Sequence, residues 1–179
     1  MSNTTSNKKI VITKSAQGTK FLGRKAAQRI IKRGPADRAF VLALQGDLGS
    51  GKTTFVQGLA EGLAIRERVI SPTFIIMRKS EIRNPKSETN SKFQNSNFQN
   101  RFRYFYHFDC YRIDKPEEIL ELGWSEIVAN PQNIVAIEWP ERIKKFLPEQ
   151  TVSLNFKFVN KAQRIIKMGL DLAEKVFLL

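Results

Sequence analysis

Residues 46–54 combine three glycines, a lysine and two threonines within nine positions, in the order Gly-Asp-Leu-Gly-Ser-Gly-Lys-Thr-Thr. An apolar run at residues 39–44 precedes them, and a stretch compatible with a helix follows. A strand, a glycine-rich loop and a helix in this order are typical of the P-loop, which holds the phosphates of a nucleoside triphosphate. The alternative is an ordinary turn with Lys52 in solvent, but the flanking strand and helix favour a nucleotide site.

The chemistry expected of this loop follows from its residue types. Glycines let the backbone N–H groups face one concavity that suits phosphate oxygens, and a helix beginning near Lys52 adds the positive end of its dipole. Lys52 supplies a positive charge for the β- and γ-phosphates, and the Thr53 hydroxyl is a ligand for Mg²⁺. The predicted nucleotide-binding residues are Gly46, Asp47, Leu48, Gly49, Ser50, Gly51, Lys52, Thr53 and Thr54.

Two acidic residues stand at the ends of apolar runs further along the chain. Asp109 follows Tyr-Phe-Tyr-His-Phe, and Glu138 follows Asn-Ile-Val-Ala-Ile. The carboxyl ends of two strands would place both carboxylates beside the phosphates, where one can hold Mg²⁺ or its water and the other can orient an attacking water. The alternative is a structural role, in which the carboxylates cap helices or pair with Arg112 and Arg142.

Length and composition predict one globular domain spanning residues 1–179. The chain is 41% hydrophobic with a mean hydropathy of −0.33, which is enough apolar material for a core. No apolar stretch approaches the ~20 residues that cross a bilayer, and residues 1–9 lack a signal-peptide pattern, so we expect a cytoplasmic protein without membrane contact. The single cysteine, Cys110, excludes an internal disulfide and a multi-cysteine zinc site.

The formal net charge of +13 is concentrated outside the predicted nucleotide site. Residues 1–33 carry nine Lys or Arg and no acid, residues 78–103 carry seven basic and two acidic residues, and residues 141–179 carry eight and four. Such a surface suits a polyanion such as RNA, whose binding would release counterions. An acidic protein partner and a generally basic proteome are equally good explanations, and the composition leaves all three open.

The hydrophobic pattern alternates between strand and helix periods along the chain. Strands are predicted at residues 9–13, 39–45, 73–77, 103–108, 133–137, 152–158 and 164–170, and helices at 15–33, 52–64 and from 116 to 122. The last two strands alternate like an antiparallel pair with one wet face. This pattern around a P-loop predicts an α/β fold of the P-loop NTPase type, with a largely parallel central sheet, flanking helices and antiparallel edge strands.

Residues 80–100 interrupt this pattern. Eleven of the twenty-one residues are Asn, Gln or Ser, and two isolated phenylalanines stand among them. Such a composition cannot bury enough apolar area to offset the backbone entropy of ordering. We therefore predict a disordered surface insertion, and a role for it in contacting RNA or a partner stays open.

Five short motifs follow one another in a fixed order. They are the loop at residues 46–54, Ser-Pro-Thr-Phe at 71–74, His-Phe-Asp-Cys-Tyr-Arg at 107–112, Leu-Gly at 122–123 and Ile-Glu-Trp-Pro-Glu-Arg at 137–142. Their order and spacing, from residue 19 to residue 164, resemble the TsaE family. That family is the ATPase component of the bacterial machinery that makes threonylcarbamoyladenosine in tRNA. One motif would be modest evidence, but five in register are specific.

The resemblance implies ATP and Mg²⁺ as ligands and a weak ATPase activity that depends on partners. In the family, those partners are a two-subunit complex of TsaB-like and TsaD-like proteins, which transfers the threonylcarbamoyl group to adenosine 37 of tRNA. ATP hydrolysis is thought to reset the complex between turnovers rather than to drive the transfer. The chain would reach tRNA through this complex or contact it directly, and both are left open.

The resemblance also implies roles for individual residues. It makes Lys52 the phosphate clamp, Thr53 the metal ligand, and Asp109 and Glu138 the acids essential for hydrolysis. Which of the two carboxylates ligates Mg²⁺ directly is left open.

Two further residues are switch or interface candidates under the same resemblance. Thr73 would sense the γ-phosphate, with a cap at the start of a strand as the alternative. Trp139 would pack beside the nucleotide or at the partner interface, with core packing as the alternative. The chain departs from the family pattern at Cys110, where leucine is usual, and in the length of the segment at residues 80–100. His107, the only histidine, is expected to pack structurally rather than to transfer protons.

Three other functions share part of this pattern. A small-molecule or nucleotide kinase would use the same loop and carboxylates, but no segment resembles an ordered lid that carries arginine. A GTPase would need an Asn-Lys-x-Asp guanine reader, and the sequence has none. A basic RNA-binding protein that holds ATP only as a ligand would bind RNA even with Lys52 replaced by alanine.

Overall fold

The computed structural model describes residues 8–67, 75–82 and 101–169. Its strands are β1 (Lys8–Thr13), β2 (Phe40–Gln45), β3 (Met77–Glu81), β4 (Tyr104–Asp109), β5 (Asn133–Glu138), β6 (Val152–Phe158) and β7 (Arg164–Gly169). Its helices are α1 (Ala16–Arg33), α2 (Lys52–Gly62), α3 (Glu118–Glu121) and α4 (Trp124–Ala129). Short 3₁₀ segments follow β4 and β5, at Cys110–Arg112 and Pro140–Phe146. None of these described helices has the length and apolarity that a bilayer crossing needs.

The seven strands form one sheet in the order β1-β7-β6-β2-β5-β4-β3. The four central strands, β6, β2, β5 and β4, pair in parallel. The outer pairings β1–β7, β7–β6 and β3–β4 are antiparallel. The predicted α/β fold with a parallel centre and antiparallel edges is therefore confirmed. Because the central strands run the same way, the carboxyl ends of β2, β4, β5 and β6 meet at one edge of the sheet.

Helix α1 begins and ends where its sequence dictates. The Ser15 side chain caps the helix by accepting a hydrogen bond from the Gly18 backbone N–H at 3.0 Å. Gly34 ends the helix with a positive φ of 76°, which suits glycine, and Lys32 and Arg33 in the last turn complement the helix dipole. The helix predicted at residues 15–33 is confirmed.

The region after β4 differs from the prediction in one respect. The helix expected from residue 116 is a single turn, α3, and a second helix, α4, follows it immediately. Gly123 lies between them in a left-handed conformation with φ 73°, which stops α3 and starts α4 in a new direction. Trp124 and Ile127 of α4 are buried, so the second helix forms because its apolar face has a core to cover.

Strand β3 also differs from its predicted position. A strand was expected at residues 73–77, but β3 begins at Met77, and residues 73–74 lie outside the described part of the chain. The prediction of a surface loop from residue 80 is wrong for Ser80 and Glu81, because both pair with β4. The buried Ser80 hydroxyl also hydrogen-bonds to Glu67 at 3.1 Å. Residues 83–100 of the predicted insertion lie outside the described residues.

The core lies on both faces of the sheet. On one face, α1 and α2 cover β2, β6 and β7, with Ile30, Phe55 and Leu59 fully buried. On the other face, α3, α4 and the 3₁₀ segments cover β4 and β5, with Trp124 and Ile137 at the centre. Each such side chain contributes about 1.5–3 kcal/mol by leaving water. The two layers hold β2, β4 and β5 rigidly from both sides.

Helices α1 and α2 pack with their backbones in close contact through glycines. A Cβ atom on Gly23 of α1 would lie 2.2 Å from the Phe55 carbonyl oxygen. A Cβ atom on Gly58 of α2 would lie 2.0 Å from the Lys20 carbonyl oxygen, and one on Gly62 would lie 2.6 Å from the Ala27 Cβ. These three positions accept no side chain without separation of the helices.

We predict that Gly23→Ala lowers the free energy of unfolding by about 2 kcal/mol or more, because the backbone oxygen it meets cannot move aside as a side chain would. The matched control is Gly18→Ala in the same helix, where the added Cβ meets nothing closer than 3.4 Å. That variant should stay within about 1 kcal/mol of the parent, with helix propensity favouring alanine. Urea denaturation of both variants measures the difference, and equal effects would contradict the close packing.

Candidate functional site

The loop between β2 and α2 has a backbone that only glycine can supply at its first position. Gly46 has φ 138°, and a Cβ atom there would lie 2.2 Å from the Phe156 carbonyl oxygen of β6. Gly49 and Gly51 also have positive φ, at 73° and 100°. The loop therefore curls at the carboxyl end of β2 and leads directly into α2. The predicted order of strand, glycine loop and helix is present as expected.

The Lys52 side chain is turned back over this loop. It is only 4% exposed, and its Nζ donates to the carbonyl oxygens of Gly46 at 2.6 Å and Asp47 at 2.9 Å. The ammonium group also lies 4.1 Å from the centre of the Trp139 ring. Burial lowers the pKa of Lys52 below its ordinary value of 10.5, and the nearby carboxylates, with Glu138 first among them, oppose this. The amine is thus held in a low-dielectric site beside acids.

Glu138, at the end of β5, makes polar contacts through both of its carboxylate oxygens. The Thr53 hydroxyl donates to its Oε2 at 2.9 Å, and Nε2 of His107 lies 3.0 Å from its Oε1. Glu138 is 3% exposed and His107 is 1% exposed. An ionised carboxylate only accepts hydrogen bonds, so both neighbours donate to it. Because its proton points to Glu138, the Thr53 hydroxyl keeps its lone pairs for a cation.

Asp109 ends β4 directly opposite Glu138 in the parallel register of β4 and β5. It is buried, and its Oδ1 accepts a hydrogen bond from the Tyr111 backbone N–H at 3.1 Å. The two predicted carboxylates therefore stand side by side at the carboxyl edge of the sheet. Thr73, the other predicted site residue of this region, lies outside the described residues.

Trp139 follows Glu138 in a left-handed backbone conformation, with φ 59° and ψ 49°. For a residue other than glycine this conformation costs about 1 kcal/mol or more, and it is found where surrounding contacts impose it. The indole packs 5.0 Å from the Tyr111 ring, on the side of the cleft that faces Lys52. The Trp139 ring thus lies beside the predicted phosphate loop and also packs against the core on this face of the sheet.

His107 has a contact that the sequence did not predict. It packs in the core as expected, but it also fixes Oε1 of Glu138. The signal was the period-2 alternation of β4, which puts His107 and Asp109 on the same face of the strand. That alternation did not reveal which residue of β5 the imidazole would meet.

These residues surround a cleft of about 330 Å³. It is lined by Leu48, Gly49, Ser50, Gly51, Lys52, Thr53, Thr54, Asp109, Tyr111, Glu138, Trp139 and Arg164. Tyr111 and Arg164 are lining residues that the sequence did not predict. The Cys110 thiol lies behind this wall, where burial raises its pKa to about 12 and makes it a core residue rather than a nucleophile.

A phosphate chain with Mg²⁺ needs donors for its oxygens and hard oxygen ligands for the metal. The Ser50 hydroxyl, inside the loop, is buried without a hydrogen-bond partner among the described residues, as a loop built to face an anion allows. No group of three or more His, Cys, Asp or Glu residues in the described ranges is placed to form a metal cage. A hydroxyl with two carboxylates nearby suits Mg²⁺, which keeps several waters and shares its ligands with phosphates. The residues present therefore fit this pair of ligands.

The site combines a glycine loop at the carboxyl end of a parallel strand, a lysine and a threonine that open the next helix, and two carboxylates at strand ends. This combination defines a nucleotide-binding α/β protein of the P-loop type. The family model "Threonylcarbamoyl adenosine biosynthesis protein TsaE" matches residues 13–166. The chain belongs to the TsaE family, and its role lies in tRNA threonylcarbamoyladenosine biosynthesis.

Individual relatives agree with this assignment. The chain is 32% identical to the tRNA threonylcarbamoyladenosine biosynthesis protein TsaE of Treponema pallidum, over 88% of this chain and 98% of that protein. It is 35% identical to TsaE of Borreliella burgdorferi, over 75% of this chain and 83% of that protein. The crystal structure of Bacillus subtilis YdiB superposes with a TM-score of 0.62 at 26% identity and covers 90% of this chain and 84% of that one.

We predict that Lys52→Met raises the stability of the nucleotide-free protein by about 1 kcal/mol at pH 7, because the desolvation cost of a buried charge is removed. Since the folded pKa of Lys52 lies below the unfolded one, the unfolded state binds more protons between the two values. The cost of native Lys52 to the free energy of unfolding therefore falls as pH rises toward 10.5. The stability advantage of Lys52→Met becomes smaller over the same pH range.

Thermal unfolding of both proteins between pH 7 and pH 10.5 measures this change. Lys25→Met, at an exposed position of α1, is the matched control. Its stability difference from the parent should not change over this pH range. An advantage of Met that grows with pH would show that the sign is wrong.

Proposed function

We propose that this chain binds Mg-ATP in the cleft above β2 and hydrolyses it to support threonylcarbamoyl modification of adenosine 37 in tRNA. The observation that carries the proposal is the convergence on Glu138, whose two oxygens hold Thr53 and His107 while Asp109 stands beside it. No role in the core requires two buried carboxylates next to a glycine loop and a lysine. We further propose that the protein works in the cytoplasm.

The first role in this proposal is phosphate binding. The loop amides and the positive end of α2 receive the phosphate oxygens. The first turn of α2 contains no acidic residue that would oppose them. Lys52 exchanges its bonds to the Gly46 and Asp47 carbonyls for bonds to the β- and γ-phosphates. This exchange is favourable because a charged acceptor makes a stronger hydrogen bond to an ammonium than a carbonyl does.

The second role is hydrolysis. Thr53, together with Asp109 or Glu138, would hold Mg²⁺, which when bound neutralises developing charge on the phosphates. Glu138 fixes the Thr53 hydroxyl, and His107 keeps the carboxylate from turning. The carboxylate that does not hold Mg²⁺ orients a water toward the γ-phosphorus. The new bond joins that water oxygen to phosphorus, the bond to the β–γ bridging oxygen breaks, and ADP and phosphate leave.

The third element of the proposal is dependence on partners. The family name ties the chain to a pathway with other components, and we propose that TsaB-like and TsaD-like subunits of the threonylcarbamoyl-transferase complex are the partners. The basic segments outside the cleft suit contact with tRNA. We include this contact in the proposal, either directly or through the complex. Thr73 would report the γ-phosphate to these partners.

We predict that Asp109→Asn and Glu138→Gln each reduce partner-stimulated hydrolysis by more than tenfold, which corresponds to over ~1.4 kcal/mol of barrier. Each change removes a negative charge and preserves side-chain size, so folding should survive. The measurement is phosphate release in the presence of the transferase subunits. Glu126→Gln, at an exposed position of α4, is the matched control and should keep the parent rate. Rates near normal in both site variants would rule out the two-carboxylate model.

We also predict that nucleotide binding changes the fluorescence of Trp139. Phosphates that draw the Lys52 ammonium from the indole alter the charge next to the ring, now 4.1 Å away. The other tryptophan, Trp124, is buried in the core with its Nε1 donating to the Phe146 carbonyl oxygen, and it should not respond. A titration with Mg-ADP should therefore change the emission of the parent and of Trp124→Phe. The same titration should leave Trp139→Phe unchanged, and a signal that survives there would contradict the proposed movement.

The decisive experiment for the function is co-purification of the tagged chain with the transferase subunits in the presence of ATP or ADP. The proposal expects nucleotide-dependent capture and stimulated phosphate release. Fast hydrolysis without partners would contradict the dependence on partners. A phosphorylated acceptor found after incubation with candidate small molecules would instead favour a kinase.

A further inference from the structure

The loop at residues 46–51 has two walls of opposite charge. Strand β2 lies between β5 and β6. On the β5 side stand the carboxylates Glu138 and Asp109. On the β6 side, the hairpin that leads from β6 into β7 brings Arg164 to the edge of the cleft. Among the described residues that line the cleft, Arg164 and Lys52 are the ones with positive charge.

Arg164 reaches the loop at Gly51. A Cβ atom on Gly51 would lie 3.6 Å from Cγ and Nε of Arg164 and 3.7 Å from its Cδ. The stem of the arginine thus passes over the last residue before α2 at ordinary van der Waals distance. Gly51 is the N-cap residue of α2 and, as a glycine, has no side chain that could hydrogen-bond to the helix end. The guanidinium is therefore delivered to the N-terminal end of α2, beside the loop.

The orientation of Arg164 is fixed by its own hairpin. Its Nη1 donates to the carbonyl oxygens of Asn160 at 2.6 Å and Gln163 at 3.0 Å, and the guanidinium lies 4.6 Å from the centre of the Phe158 ring. The Asn160 side chain in turn accepts from the backbone N–H groups of Ala162 and Gln163. These bonds occupy Nη1, and within the described part of the chain no residue accepts from the Nε or Nη2 hydrogens, which can therefore face another acceptor.

The charge at this position has no compensation within the described residues. No carboxylate there forms a salt bridge with Arg164, and the first turn of α2 has no acid. A cation beside a helix N-terminus is electrostatically unfavourable, because the helix end is itself positive. Lys52 has the same conflict but is balanced by Glu138 and Asp109. An anion between Arg164 and the loop would resolve the conflict.

We propose that Arg164 binds the α- and β-phosphates of the nucleotide, on the side of the loop opposite to the carboxylates. This inference rests on the proposed function. The carboxylate wall marks the end of the cleft that takes the metal and the γ-phosphate, so the part of the phosphate chain nearer the nucleoside lies toward β6. The Nε–Nη2 edge of the planar guanidinium is suited to two phosphate oxygens at once. Arg164 is thus a nucleotide-binding residue shared by ATP and ADP.

The test measures the affinities of Mg-ATP and Mg-ADP by equilibrium dialysis for the full chain and three variants, Arg164→Ala, Arg164→Gln and Arg164→Lys. Loss of a charge-assisted contact should weaken ATP and ADP about equally, by about tenfold or more in the Ala and Gln variants. Arg164→Lys should lose less affinity, because lysine keeps the positive charge but not the bidentate geometry of the guanidinium. The matched control is Lys161→Ala, an exposed cation in the same hairpin that does not line the cleft, and it should bind like the parent.

The outcomes separate this inference from the proposed function. Absence of nucleotide binding by the parent chain would defeat the function itself. Binding by the parent with unchanged affinity in all three Arg164 variants would overturn the inference alone. Weakening of ATP without weakening of ADP would also overturn it, because the contact would then be with the γ-phosphate. Thermal unfolding of each variant without nucleotide checks the hairpin, and Arg164→Gln retains donors for the Asn160 and Gln163 carbonyls if the Ala variant fails to fold.

Discussion

The carboxylate of Glu138 is the contact on which the rest of the site depends. It is buried, and it holds the Thr53 hydroxyl from α2 and the His107 imidazole from β4 with its two oxygens. A buried carboxylate is costly unless every lone pair that leaves water finds a donor. The three side chains come from three different elements, so the register of β4 against β5 and the position of α2 over β2 are both constrained by this one group. The helices that cover the two faces of the sheet supply the rigidity that keeps these donors in place.

The same edge of the sheet contains several features that lower stability. Lys52 is buried with a lowered pKa, Trp139 has a left-handed backbone, and two cations lie near the N-terminus of α2. Each of these conflicts would be removed by ordinary substitutions, yet they occur within one cleft. The glycines between α1 and α2 lie elsewhere and have the opposite effect, because they allow the two helices to pack closely. A protein that binds a ligand at one edge of its sheet usually has stabilising packing in the body of the fold and strain at that edge.

Much of the fold and part of the site follow from local sequence. The loop at residues 46–51 between β2 and α2, the start of α1 at Ser15 and the β6–β7 hairpin are determined by glycines, a capping hydroxyl and period-2 alternation, all read within a few residues. The contact of His107 with Glu138 joins residues 31 apart, and its partner is set only when β4 pairs with β5. Arg164 and Gly51 are still further apart in sequence, and they meet because β6 lies next to β2. Sequence periodicity gives the face of a strand but not its neighbour, which is why these two contacts were not predicted.

The two walls of the cleft are connected differently to the rest of the chain, and this bears on how partners could act. Each carboxylate is followed by a 3₁₀ segment that has both buried and exposed residues. These are Cys110–Arg112, directly after Asp109, and Pro140–Phe146, which Trp139 separates from Glu138, and the rings of Tyr111 and Trp139 contact each other between them. The opposite wall, the hairpin with Arg164, is closed by its own hydrogen bonds. Under the proposed function, a partner that presses on the 3₁₀ segments would change the geometry of the carboxylates without disturbing the phosphate contacts. Nucleotide binding would then persist without partners while hydrolysis waits for them, because the two depend on opposite walls of one cleft.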